Sequence, residues 1–181
     1  LKLSTRAIEE GLLSLPYVRT AEVYRRFPDT LDIRLVEYEP LARLQVKEGE
    51  TWLVAENGRI LEKVTPPRGL DLPLVAVTGS VAPVAGGMLP AAVTEGLAVV
   101  AMLEAGTVGE GLPTVERIVV STAGRIVVVL KDGGELRLGD STGLQHKLMV
   151  AVDIIERYLR DGKQIAYVDL TVPERAAVKV E

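Results

Sequence analysis

Leu15-Pro16-Tyr17-Val18-Arg19-Thr20-Ala21-Glu22-Val23-Tyr24-Arg25-Arg26-Phe27-Pro28-Asp29-Thr30-Leu31-Asp32-Ile33-Arg34-Leu35-Val36-Glu37-Tyr38-Glu39-Pro40-Leu41-Ala42 is the stretch from which the fold is read. Ala21 and Val23 alternate with Glu22 and Tyr24, a period of two that puts the apolar pair on one face of a strand. Phe27-Pro28-Asp29-Thr30 breaks the run, because Pro28 lacks a ladder donor and Asp29 favours a turn. Leu31, Ile33 and Leu35 then point one way, Asp32 and Arg34 the other. Pro40 ends the regular pairing. Upstream, Ile8, Leu12 and Leu15 fall on one side of a helix, with Ser4 as its N-cap. The expectation is a helix lying on the hairpin and offering cover to its inward faces.

The rest of the chain sets the class. Its 181 residues suffice for one sizeable domain or two small ones, and 48% hydrophobic with 25% charged residues describes a globular chain. Twenty-six valines against seven aromatics favour sheet over helix bundle. A net charge of −4 argues against a nucleic-acid footprint. The absence of cysteine excludes disulfides and thiolate metal sites. No apolar run approaches the ~20 residues that span a bilayer. The chain starts at Leu1, close to a helix start, so it reads as a fragment whose signal or anchor lies upstream.

After Ala42 the pattern becomes short strands. Trp52 to Ala55 and Arg59 to Leu61 flank Asn57-Gly58, a hairpin signal. Thr65-Pro66-Pro67-Arg68-Gly69 reads as a loop, and Leu72-Pro73-Leu74-Val75 as another extended piece. Pro90 opens a helix carrying Val93, Leu97, Val100 and Leu103, which Gly106 stops. Val115–Val120, Ile126–Leu130 and Glu135–Leu138 form an antiparallel meander. Thr142 to Arg160 is the longest helix, with Leu144, Leu148, Val152, Ile155 and Leu159 on one face and Asp140 or Ser141 as its cap. Ile165 to Val172 is a strand, Pro173-Glu174-Arg175 a turn, and Ala176 to Val180 a last strand. The fold class is α+β, with a domain change near residues 42–44.

Gly139-Asp140-Ser141-Thr142-Gly143 matches the G-x-S-x-G nucleophile elbow and falls between a strand and a helix. A serine nucleophile needs a base held by a third group. The lone histidine, His146, lies five residues on in the same helix, no late histidine follows, and no oxyanion loop is present. A hydrolase built on Ser141 is the alternative reading; an N-cap at Asp140 or Ser141 is the preferred one. His146 has no partner at metal-ligand spacing. Glu37 with Glu39, and Asp29 with Asp32, sit on strand and turn positions and not on separate elements converging on a pocket. Arg25, Arg26 and Arg34 are read as balanced surface charge and Trp52 as a core residue. Gly86-Gly87 and Gly109-Glu110-Gly111 lack the setting of phosphate loops.

Two sets of motifs resemble the FtsQ and DivIB family of bacterial cell-division proteins. The first is Leu15-Pro16-Tyr17-Val18, Ala21-Val23-Arg25, Pro28-Thr30-Leu31-Ile33 and Glu37-Pro40-Ala42, the pattern of its POTRA domain. The second is the Asn57-Gly58-Arg59-Ile60-Leu61 hairpin, Leu72-Pro73 with Gly79, Gly86-Gly87-Met88-Leu89, Asp132-Gly133, Leu138-Gly139, Lys147-Leu148 and Val168-Asp169-Leu170, the pattern of its β domain. The resemblance implies a partial POTRA unit over 1–42 (second helix and last two strands), its missing strand and helix leaving one ladder edge unpaired and Ile33 and Leu35 partly uncovered, and a β domain over 43–181. It implies a non-enzymatic divisome scaffold without cofactor or metal. A missing N-terminal helix would anchor it in the cell membrane by a single pass, with this region extracytoplasmic at the septum. Its partners would be coiled-coil division proteins of the FtsB/DivIC and FtsL type. The partner-binding residues would be Val172, Ala176, Ala177, Val178, Lys179 and Val180, because a last strand is usually a sheet edge and its free N–H and C=O groups can template an incoming strand.

Overall fold

Ser4 starts the first helix: its Oγ accepts from the Ala7 N–H at 3.3 Å. The computed structural model describes residues 4–64, 71–108 and 111–181, so the expected loop at Thr65–Gly69 and residues 109 and 110 lie outside the described residues. Helix α1 (Thr5–Leu13) lies over β1 (Val18–Arg26), which pairs antiparallel with β2 (Thr30–Glu37) in the register Val23↔Ile33 and Ala21↔Leu35. Ile8 and Leu12 are half-buried and Val23 is buried. Ile33 and Leu35 are 48% and 44% exposed, as the missing helix implies, because one helix ~10 Å wide covers β1 and leaves β2 open. Leu15 is also exposed; it lies in the turn after α1, where its N–H reaches the Leu12 carbonyl.

The chain then enters a second sheet. Its strands are β3 (Pro40–Lys47), β4 (Glu50–Ala55), β5 (Ile60–Val64), β6 (Leu74–Thr78), β7 (Val115–Ser121), β8 (Ile126–Leu130), β9 (Glu135–Gly139), β10 (Ile165–Asp169) and β11 (Ala177–Val180). The spatial order is β11-β10-β9-β8-β7-β6-β3-β4-β5. Five of its eight pairings are antiparallel, and β3/β6, β6/β7 and β9/β10 are parallel. Parallel neighbours need a crossover, and α2 (Ala91–Glu104) and α3 (Leu144–Arg160) supply two of them. Pro40 ends the hairpin pairing as expected, but it also opens β3, so residues 40–42 pair within this larger sheet.

Alternate strand residues such as Val75, Ile118, Val120, Val128, Leu136, Leu138 and Val168 form one core with α2 and α3. Gly96 lets α2 approach closely: a Cβ there would stand 2.5 Å from Val120 Cγ2. Gly58 has a φ of +84°, the left-handed geometry that the Asn57-Gly58 hairpin requires.

The stripe of α3 is rotated from the expected one. Leu144, Leu148 and Ile155 are buried, and so are Lys147 and Ala151; Val152 is half-buried and Leu159 is 56% exposed. A 3.6-residue period drifts off a narrow stripe over so long a helix, so its last turn clears the sheet. Neither Asp140 nor Ser141 caps this helix. Gly143, with a φ of +64°, is the N-cap. The Asp140 carboxylate turns to Thr142 N–H and Lys147 instead, and Ser141 turns to Glu95. The strand expected to reach Val172 stops at Asp169, whose Oδ1 accepts from Thr171 N–H at 3.0 Å and folds the chain out of line.

The hairpin unit docks on the other face of the larger sheet. Leu53, Ala55 and Leu61 pack there with Tyr17, Tyr38, Val64 and Leu72. Arg59 donates from Nε to the Pro16 carbonyl at 3.2 Å and from a terminal nitrogen to that of Leu15 at 3.4 Å, and its guanidinium lies 5.7 Å from the centre of the Tyr38 ring. The Tyr17 hydroxyl donates to Glu62 at 2.7 Å. Partial burial, with that carboxylate beside it, pushes the Tyr17 hydroxyl up to about 12.

Candidate functional site

The last strand is an edge strand. β11 pairs antiparallel with β10 and has no neighbour on its other side among the described residues. Three devices hold it there. Leu170 is fully buried, and its N–H reaches the Arg137 carbonyl at 2.8 Å. The Asp169 side chain closes the turn described above, and the Thr171 N–H holds that carboxyl below its usual range. A 3-10 turn, Pro173–Arg175, reverses the chain, with Arg175 N–H on the Val172 carbonyl at 2.9 Å.

Backbone direction along β11 follows from one bond. Glu181 N–H donates to the Gln164 carbonyl at 3.1 Å, so residue 181 faces the β10 side. Alternation then turns Lys179 toward β10, and turns the N–H and C=O of Val178 and Val180 to the open side. Val172, Ala177, Lys179 and Val180 are exposed, while Ala176 and Val178 are half-buried against the core. Lys179 stands opposite Tyr167, whose ring carries the Arg137 guanidinium 3.8 Å from its centre. All six expected residues thus lie together on or just before this edge.

The other candidates disperse. Ser141 Oγ donates to Glu95 Oε2 at 2.6 Å, a link from α3's entry to α2. His146 is exposed on α3. No group of three His, Cys, Asp or Glu is placed to hold a metal among the described residues. Asp29, Glu37 and Glu39 are exposed, and Asp32 pairs with Arg26 at 2.6 Å. Arg34 lies 5.6 Å from the Tyr24 ring centre. Trp52 packs on the core only in part: its indole N–H donates to Glu50 at 3.1 Å. Lys47, with that indole, holds the Glu50 carboxyl down to about 2. Gly86 and Gly87 are a structural clasp. Gly86 N–H reaches the Ile60 carbonyl, and Ile60 N–H that of Gly87.

Two residues with structural work enter the sequence reading only as members of family motifs, with no sign of what they do. Lys147 is a charged residue in an apolar stripe, and only its partner Asp140 explains its burial. Arg59 follows a turn glycine and contacts backbone carbonyls forty-three and forty-four residues away.

Comparison with known proteins agrees with this architecture. The family model described as cell division protein FtsQ/DivIB, C-terminal, matches residues 42–171. That of the POTRA domain, FtsQ-type, matches residues 1–38. The chain is 40% identical over 73 residues to the cell division protein FtsQ of Myxococcus fulvus, covering 40% of this chain and 25% of that protein. It is 32% identical over 96 residues to that of Anaeromyxobacter sp., covering 48% and 32%. For Zymomonas mobilis the figures are 42% over 74 residues, covering 41% and 23%. The matched stretches thus span between about a quarter and a third of these relatives. No helix among the described residues is long and apolar enough to cross a membrane. With both family models matched in order along the chain, this protein belongs to the FtsQ/DivIB family of cell-division proteins.

Proposed function

We propose that this chain is the partner-binding part of a non-enzymatic divisome scaffold, working outside the cytoplasmic membrane at the septum. A helix upstream anchors it by a single pass. It binds coiled-coil division proteins of the FtsB/DivIC and FtsL type and so helps to control septal wall synthesis. Residues 1–42 act as a partial POTRA unit and 43–181 as the β domain, the chain changing sheets between Glu37 and Pro40.

The observation that carries this reading is the β11 edge, a terminal strand with Val178 and Val180 backbone groups turned outward. The partner adds an antiparallel or parallel strand there. Val172, Ala176, Val178 and Val180 supply apolar contact, Ala177 and Lys179 the opposite face. No aromatic lies between Val172 and Glu181, so affinity rests largely on backbone pairing.

Pull-down of the coiled-coil ectodomains by the full chain and by a 1–175 truncation tests this. Binding should be lost on truncation while the β domain still melts cooperatively, its midpoint lowered by the loss of the β10–β11 pairing. Wild-type affinity for the truncated chain eliminates the edge. A serine-directed fluorophosphonate probe separates the hydrolase alternative; specific labelling of Ser141 would overturn the scaffold reading.

A further inference from the structure

The two-stranded sheet has two outer edges, and they differ. On the β1 side, Glu9 of α1 reaches across and its Oε1 accepts the backbone N–H of Val23 at 2.8 Å. Since a β1 residue bonded to a side chain at its outer edge cannot face β2, alternation turns the N–H groups of Ala21 and Arg25 outward as well. Glu9 therefore occupies the central outward donor of a nine-residue strand with the group that an incoming strand's carbonyl would otherwise supply. Among the described residues no side chain takes the outward N–H groups of β2.

We propose that Glu9 is a strand-edge guard: its carboxylate blocks antiparallel pairing of β1 with β1 of a second copy of this chain. The self-pairing register it denies is a favourable one. Centred on Val23, it sets Ala21 opposite Arg25 and Glu22 opposite Tyr24, with no like charges facing each other. It also brings both Val23 N–H groups into hydrogen-bonded positions. The device is local and reversible, because Glu9 is half-buried on α1 and competes only through one charge-assisted hydrogen bond.

Site-resolved amide exchange on the full chain, read at low and high protein concentration, tests the guard. In Glu9→Ala the Val23 amide should exchange at least about tenfold faster at low concentration, as loss of a hydrogen bond to a charged group implies. At high concentration protection should return at Ala21, Val23 and Arg25, together with a dimer in sedimentation. Glu9→Gln keeps an oxygen acceptor without the charge and should fall between the wild type and Glu9→Ala in both readouts. Val23 exchange unchanged by Glu9→Ala overturns the proposal. So does faster exchange that stays independent of concentration, which would make the contact a tether for α1. Ile33 and Leu35 amides report the other edge, so association through β2 is distinguished from association through β1.

Discussion

The ammonium of Lys147, only 4% exposed, lies 3.0 Å from both the carboxylate Oδ1 and the backbone carbonyl of Asp140. A buried lysine is tolerable only with such a partner, and here one residue offers two acceptors. The contact ties the entry loop of α3 to the first turn of that helix, in place of the N-cap side chain it lacks. Lys147 and then the Thr142 N–H lower the pKa of Asp140. A carboxyl whose folded pKa lies below its unfolded value contributes stability above the unfolded value. That contribution is lost as pH falls through the folded one. Asp140→Asn should therefore flatten part of the acid limb of stability below about pH 4. Urea melts at several pH values check this, and an unchanged acid limb would count against the tie.

Leu148 is fully buried beneath α3, whereas Leu159 at the other end of the expected stripe is mostly exposed. Leu148→Ala should cost ~2–5 kcal/mol through lost transfer energy and a cavity. Leu159→Ala should stay within about 0.5 kcal/mol. Chemical denaturation of both variants gives the comparison, and equal losses would place the last turn of α3 against the sheet.

Arg59 couples the hairpin unit to the larger sheet through the Pro16 and Leu15 carbonyls. Removing a charged donor from partly exposed acceptors should cost about 1 kcal/mol. Arg59→Ala should chiefly raise amide exchange in β1 and β2, leaving β7 and β8 unchanged. A uniform rise across the chain would show that the two units open together.

The hairpin should also be the less protected unit in the intact chain. Two strands under one helix, with Ile33 and Leu35 exposed, bury little, while Val128 sits in a central strand with no exposure. Exchange of the Glu22 and Arg34 amides should exceed that of Val128, and equal protection would refute this.

Proline substitutions along β11 should separate binding from folding. Val178→Pro removes a donor that faces away from β10, so it should weaken the proposed strand addition and leave the β domain folded. Lys179→Pro removes a donor on the β10 side and should lower the melting midpoint. Titration with the coiled-coil ectodomains and thermal melts of each variant decide it. The reverse pattern would invert the assigned backbone direction.

Local pattern was enough for much of this protein. Alternation specified β1 and β2, Asn57-Gly58 the β4–β5 hairpin, and the valine runs the β7–β8–β9 meander, because each rests on a period or a turn within a few residues. Motif order was enough for the family. The parallel joining of β3 to β6 and β6 to β7 was not legible, since it depends on which elements a crossover brings together. Nor were the shift of burial from Leu159 to Lys147 and Ala151 and the loss of caps at Asp140 and Ser141. Those depend on how far a helix overlaps a sheet and on which distant group competes for a side chain. The edge position of β11 was read from its place in the chain, but the outward turn of Val178 and Val180 was decided by its register on β10.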